Sequence, residues 1–110
     1  MVTNVNLPNV GQIPNVPLGV IVETNAVFSA DTVKPQASGE IPANVMSIMY
    51  PAIANQQVIL QAAAEHSFDK ALTAVMTDNL SLGISPAQAE EMLKVMLKNT
   101  KAYLPKEWNL

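Results

Sequence analysis

The sequence predicts an α+β fold made of an extended N-terminal arm, one β-hairpin and then three to four helices. Three observations lead to this prediction: a triplet repeat near the N-terminus, a period-two stretch after Gly19, and few helix breakers after Pro42. The chain has 110 residues, a length typical of one domain. The predicted single domain, 1–110, has four parts: an extended Pro/Asn arm over 1–18, a β-hairpin over 19–37, a helical part over 41–104 and a tail over 105–110.

The arm is predicted from residues 6–17, where each triplet is an amide, an aliphatic residue and then Pro or Gly. Polyproline II has three residues per turn, and Pro favours extended geometry at the residue before it. In that conformation the aliphatic residues form one stripe, Leu7, Val10, Ile13 and Val16, and the amides form another, Asn6, Asn9, Gln12 and Asn15. Exposed aliphatic stripes are rare, so we expect the rest of the domain, another subunit or a missing domain to cover this one.

The hairpin is predicted from alternation that starts after Gly19. One set of alternate residues is suited to face a core: Val20, Val22, Thr24, Ala26 and Phe28. Ala30-Asp31 is a plausible turn, and residues 32–35 return as a short edge strand where Pro35 is tolerated. A lone hairpin is marginally stable in water, so this one is expected to belong to a larger sheet.

The helical part begins with Pro42, a good first-turn residue, and Ala43 to Glu65 contains one breaker, Pro51, which should kink or divide the helix. Residues 45–54 are apolar nearly all round, which is typical of a buried helix. Ser67 is suited to cap a second helix, from Phe68 to about Thr77.

The third helix has the clearest start signal, because Ser85 and Gln88 form a capping box around Pro86. Glu90 and Lys94 are spaced to pair on its outer side. The predicted buried stripe is Met92, Leu93, Met96 and Leu97, and Pro105 ends the helix.

Composition excludes several classes of function. Net charge is −3 and every positive charge is a lysine, so the basic surface of a nucleic-acid-binding protein is absent. The lack of cysteine excludes disulfides, thiolate metal sites and cysteine nucleophiles. The N-terminus lacks the features of a signal peptide, and the longest apolar stretch is about half of what a bilayer requires. We therefore expect a cytoplasmic protein without nucleic-acid or membrane partners.

Few residues could carry chemistry. His66 is the only histidine and stands at a predicted helix end, where the helix dipole explains it better than catalysis does. Glu23 lies on the polar side of a strand, and no Gly-rich phosphate loop occurs. No catalytic, cofactor-binding or metal-binding residue is predicted. Amides suit sugar hydroxyls, but they suit loop backbone equally well, and we favour the backbone. The remaining candidates for a substrate pocket or interface are Asn9, Gly11, Gln12 and Asn15.

Several motifs in order resemble glycoside hydrolase family 4. That family has Asn-x-Gly-x-Ile-x-Asn-Leu-Pro followed by Val-Glu-x-x-Ala. The matching runs are Asn9-Val10-Gly11-Gln12-Ile13-Pro14-Asn15-Val16-Pro17 and Val22-Glu23-Thr24-Asn25-Ala26, continued by Pro35-Gln36-Ala37-Ser38-Gly39-Glu40-Ile41-Pro42 and Ala102-Tyr103-Leu104-Pro105.

The resemblance implies an enzyme whose chemistry lies upstream of this region. A Rossmann domain there binds NAD, and a Cys/His pair holds a divalent metal, usually manganese. Bound NAD transiently oxidises the sugar at C3, and elimination then cleaves the glycosidic bond, unlike the two-carboxylate glycosidases. None of these elements has a counterpart in this sequence, which we therefore interpret as the C-terminal part of a larger α/β enzyme, inactive alone.

The resemblance also favours a subclass. The family often has Val-Glu-Val-Pro where this chain has Val22-Glu23-Thr24-Asn25, a variant similar to the α-galacturonidase or α-glucosidase-like branch. Two hypotheses follow. The chain is a C-terminal domain or fragment that contributes structure, an oligomer interface and part of the substrate pocket, with an N-terminal catalytic domain or itself as partner. Alternatively, it is a stand-alone non-catalytic oligomerisation or interaction module.

Overall fold

The structure, a computed structural model, describes residues 1–108, so the last two residues of the predicted tail lie outside the described part. The chain divides into two compact units, one over residues 1–47 and one from Ile48 onward. The predicted α+β class is confirmed. The elements are the strands β1 (Val2–Pro8), β2 (Ile21–Phe28) and β3 (Val33–Pro35), and the helices α1 (Ala43–Glu65), α2 (Phe68–Thr77) and α3 (Pro86–Thr100).

The first unit contains an antiparallel sheet in the order β1-β2-β3. The predicted hairpin is confirmed by the pairing of β2 with β3, but the sheet has a third strand that the sequence did not predict. Leu7 lies opposite Val22, and Val5 opposite Thr24. Val22 and Thr24 are buried, so the period-two pattern of β2 correctly identified its inner face.

The polyproline prediction for the arm is wrong. Residues 2–8 pair with β2 over their whole length, and residues 9–20 form a folded loop. Strand pairing satisfies backbone groups that polyproline II would leave to water, which explains why it prevails. The aliphatic residues do not share one face, because Val16 is buried while Val10 is 72% exposed.

Helix α1 begins and ends where the sequence predicts, and Pro51 lies inside it without dividing it. The predicted burial of residues 45–54 is wrong, because none of them is buried and Ile48 is 75% exposed. An uncharged apolar sequence indicates a surface that avoids water, but the described part of the chain does not cover it. Within that part, no helix is long and apolar enough to cross a membrane.

The end of α1 has a left-handed residue. His66 has a φ of 52°, and the Ser67 N–H donates to the Ala62 carbonyl over 3.0 Å. This is the hydrogen bond of a Schellman cap, in which glycine usually occupies the left-handed position. The His66 ring also packs edge-on against Trp108, with centroids 6.0 Å apart. Ser67 then caps α2 as predicted, accepting from the Lys70 N–H.

Helix α3 has the predicted capping box of Ser85 and Gln88. The Glu90–Lys94 pair is also present, and the hydrogen bond that the Lys94 ammonium donates to the Glu90 carboxylate over 2.6 Å raises the pKa of Lys94. The predicted buried stripe is half wrong: Leu93 and Leu97 are buried, whereas Met92 and Met96 are exposed and Ala89 is buried in their place. The core thus follows i, i+4 spacing, and its members are Leu93, Leu97 and Trp108, packed by Phe68, Ala71, Leu72, Val75 and Leu104.

The left-handed cap generates a prediction about stability. His66→Ala should destabilise the chain more than His66→Gly, because alanine keeps the cost of the positive φ and loses the ring contact. We expect the two variants to differ by about 1 kcal/mol in free energy of unfolding, measured by urea denaturation. Equal stability of the alanine and glycine variants would contradict a left-handed residue at this position.

Candidate functional site

The Asn9 amide organises the loop between β1 and β2. Its side chain is 1% exposed and donates to the carbonyls of Ile13 and Val16 at 2.9 and 2.7 Å. The Oδ1 atom of the same side chain accepts from the backbone N–H groups of Gly11 and Ile13, both at 3.2 Å. The Asn9 backbone continues the strand ladder, since its N–H donates to the Val20 carbonyl over 2.7 Å. With a longer contact of 3.4 Å to the Pro17 carbonyl, one side chain therefore bonds five backbone groups of this loop.

Gln12 bonds to backbone groups of the same loop. Its Oε1 accepts from the Val10 N–H at 2.6 Å, and its Nε2 donates to the Pro8 carbonyl at 3.1 Å. Gly11 stands between these two amides with a φ of 117°, which side-chain-bearing residues rarely adopt. Its Cβ position is open, so the backbone conformation and not a close contact requires glycine there.

Asn15 binds a distant segment of the same unit. Its Nδ2 donates to the Ile41 carbonyl at 2.7 Å, and its Oδ1 accepts from the Ile41 N–H at 3.0 Å. The amide thus pairs with both backbone groups of one residue, as a strand partner would. This clamp ties the loop to the chain that leads into α1.

These contacts favour the structural interpretation of the amide residues. Asn9 and Gln12 are buried, and their polar atoms are already bonded to loop backbone. Asn15 is exposed, but its amide is occupied by Ile41. The structure therefore brings three of the four predicted site residues into one backbone-binding network, with Gly11 at its turn.

The histidine and the strand glutamate considered in the sequence lie in separate places within the described part of the chain. His66 is held against Trp108 at the end of α1, and Glu23 accepts a long hydrogen bond from Asn4 at 3.5 Å on the exposed side of the sheet. Across residues 1–108, no three His, Asp or Glu side chains come together in a way that could hold a metal ion. The donor set of the described residues therefore does not fit a divalent cation.

A cleft in the second unit was not predicted. Its volume is about 240 Å³, and it lies between α1, α2 and Trp108. Asn55 at its rim is buried, donates to the Ala74 carbonyl at 3.0 Å and accepts from the Thr77 hydroxyl at 3.1 Å. Asn55 directly follows the apolar run of α1, and its position in the sequence gives no signal because its partners lie on α2. The other lining residues are almost all apolar: Ile59, Ala62, Ala63, Ala71, Ala74, Val75, Asp78 and Trp108.

Comparison with known protein families gives a match that includes the whole sheet and the loop around Asn9. Residues 1–81 match the family described as the family 4 glycosyl hydrolase C-terminal domain. An alpha-galacturonidase of Thermoanaerobacterium saccharolyticum is 47% identical over 104 residues, which cover 94% of this chain and 22% of that protein.

Two solved structures resemble this chain over 96% of its length. The 6-phospho-alpha-glucosidase from gut microorganisms in complex with NAD and glucose-6-phosphate superposes with a TM-score of 0.83 and 30% identity over 96% of this chain. A 6-phospho-alpha-glucosidase structure with NAD and Mn²⁺, also from gut microorganisms, has a TM-score of 0.82 and 25% identity, again over 96% of this chain. The chain spans 23% and 24% of those two structures, which is less than a quarter of each.

The loop network predicts a large effect of one amide. Asn9→Ala should lower the free energy of unfolding by about 2–4 kcal/mol, because it leaves buried backbone groups without partners. Asn6→Ala is the matched control: Asn6 holds the same place in the triplet repeat but is exposed, so its loss should cost about 0.5 kcal/mol or less. Similar losses for both variants in urea denaturation would show that the Asn9 amide does not hold the loop.

Proposed function

The chain belongs to family 4 of the glycosyl hydrolases, in the part that forms their C-terminal domain, and from this we propose that it serves as a non-catalytic domain of an enzyme that hydrolyses O-glycosidic bonds. The single observation that carries the proposal is the family match over residues 1–81, which includes the whole sheet and the amide loop. A loop whose amides all bind backbone supports a structural task for this region.

The proposed partner is an N-terminal catalytic domain, formed in this proposal by the roughly three quarters of the relatives' length that lies outside the match. NAD and manganese are proposed to bind that domain, because NAD and Mn²⁺ accompany a related 6-phospho-alpha-glucosidase. When bound there, NAD supplies the transient oxidation of the sugar. This chain has no cysteine and no metal-binding cluster among its described residues, so its own contribution is to hold structure.

The proposed substrate class is an α-galacturonide. Identity to the alpha-galacturonidase of Thermoanaerobacterium saccharolyticum supports it, as does the Thr24-Asn25 variant of the strand motif. The lack of arginine also gives this region no guanidinium group for a sugar phosphate. In this proposal Asn9, Gln12 and Asn15 shape the loop and do not bind sugar themselves. A reaction that needs NAD further supports a cytoplasmic location.

A segment exchange tests the proposal. In the Thermoanaerobacterium saccharolyticum alpha-galacturonidase, the segment that matches this chain would be replaced by this chain. With NAD and Mn²⁺ we expect the hybrid to hydrolyse an α-galacturonide, because the loop and core that the segment must supply are present. The parent enzyme and a form lacking the segment are the controls.

The exchange also tests the alternative of a stand-alone module. A hybrid that is soluble and has the parent's oligomeric mass, yet binds NAD without hydrolysing substrate, would contradict a domain function. An insoluble hybrid would also count against the proposal, because the chain would then fail to pack against the catalytic domain.

A further inference from the structure

The outer side of β1 is a sheet edge whose backbone groups are open. In an antiparallel pair, alternate residues bond to the neighbouring strand, and the residues between them direct their N–H and C=O groups to the other side. Met1 and Phe28 exchange hydrogen bonds of 3.1 and 2.8 Å, which fixes this alternation. The odd-numbered residues of β1 therefore bond to β2, and the even-numbered ones direct their backbone groups outward: Val2, Asn4, Asn6 and Pro8.

The free edge consists of Val2, Asn4 and Asn6, all of them exposed. Their three N–H and three C=O groups have no hydrogen-bond partner within residues 1–108. Pro8 ends the free edge, because proline has no N–H and its carbonyl already accepts from Gln12 at 3.1 Å. β1 carries no charged residue, and its pairing with β2 is continuous. A strand with these properties is suited to pair with a further strand.

The opposite edge of the sheet is protected. The Gln36 N–H bonds to the Asn25 carbonyl over 2.8 Å, so by the same alternation Lys34 bonds to β2 while Val33 and Pro35 face outward. Pro35 has no N–H, which leaves one outward donor on this edge. Short length, lysine and proline are features by which proteins prevent strand addition, and β3 has all three. The free edge of β1 has none of them along Val2–Asn6.

The strand order indicates which segment fits the free edge. β1, β2 and β3 lie side by side in the order of the sequence, and consecutive strands are neighbours in most sheets. One side of β1 is occupied by β2, so a strand that precedes β1 can lie beside it only at the free edge. The family match is to a C-terminal domain and spans 22% of a related alpha-galacturonidase, so most of such an enzyme precedes this region.

An attached strand is favoured over a second copy of the chain. A strand joined to β1 by a short connection meets the free edge at an effective concentration of about millimolar. Two separate copies instead lose translational and rotational freedom when they pair. The free edge also carries no charge that would attract a separate partner.

We propose that the free edge of β1 pairs with an antiparallel strand from the segment that directly precedes this region in the complete enzyme. The sheet then has four strands in one polypeptide, and backbone hydrogen bonds join this region to the part upstream of it. This inference rests on the proposed function, because it requires a catalytic domain before β1.

Hydrogen exchange resolved to single amides tests the pairing. In the 110-residue chain, we expect the amides of Val2, Asn4 and Asn6 to exchange freely, because they face solvent. In the hybrid with the Thermoanaerobacterium saccharolyticum alpha-galacturonidase, the same amides should exchange at least about 100-fold more slowly, since they then donate to the preceding strand. The Val33 amide on the protected edge is the control and should exchange at the same rate in both proteins.

The outcomes separate this inference from the proposed function. Free exchange at all three amides in a folded hybrid would overturn the inference, even if the hybrid is active. Protection that already exists in the isolated chain and rises with its concentration would also overturn it, and would identify a second copy as the occupant. An inactive hybrid with a protected edge would contradict the proposed function alone. If the hybrid is insoluble, the same exchange is measured in the strand of the parent enzyme that corresponds to β1.

A proline at the free edge distinguishes strand pairing from cover by a loop or helix. Asn4→Pro removes an outward N–H but no bond to β2, and proline is tolerated where a strand N–H faces outward. Asn4→Ala is the matched control, because it loses the same side chain and its 3.5 Å contact with Glu23 but keeps the N–H.

In the hybrid, Asn4→Pro should speed exchange of the Val2 and Asn6 amides by at least about tenfold, because the added strand loses one bond and meets the proline ring. Asn4→Ala should leave both rates unchanged. Continued protection of the Leu7 amide, which bonds to β2, would show that each variant keeps the sheet. Equal rates for the two variants would overturn the inference, because something other than a strand would then cover the free edge.

Discussion

The buried amide of Asn9 holds together the connection on which the first unit depends. The two long strands β1 and β2 are joined by residues 9–20, which contain no helix or strand of their own. Buried backbone groups in such a loop must find partners, and here side-chain amides supply them. Asn9 binds the turn around Gly11, and Gln12 bonds to the Val10 N–H. Asn15 ties the same loop to Ile41. Three of the four amides of a triplet repeat that looks periodic thus bind backbone, and the fourth, Asn6, is exposed on β1.

Local signals in the sequence were sufficient to predict the helices. Ser67 and Ser85 define two helix starts through bonds to residues three positions ahead, and these bonds do not depend on the rest of the fold. The period of two likewise identified the inner face of β2. The pairing of β1 was missed because it depends on the partner strand, and the triplet repeat is equally compatible with polyproline II. Only the non-local pairing decides between the two conformations.

Burial was harder to predict than secondary structure. The apolar run of α1 predicted a buried helix, and within the described residues that prediction is wrong, because a sequence does not specify what covers an apolar surface. In α3, Ala89 takes the buried place that the prediction gave to methionines, because a small residue lets the helix approach its neighbour. For the candidate site, the pattern found Asn9, Gln12 and Asn15 and favoured their structural role. It could not find Asn55, whose partners on α2 lie far along the chain.

The network and the family membership support the proposed role of the chain as a structural part of a glycosidase whose reacting groups lie in another domain. Titration of the 110-residue chain with NAD, with and without Mn²⁺, by isothermal calorimetry tests this view most directly. The account predicts no saturable heat for either ligand, because the chain has neither a Gly-rich phosphate loop nor a metal-binding cluster in its described part. Saturable, stoichiometric binding of NAD by the chain alone would contradict it.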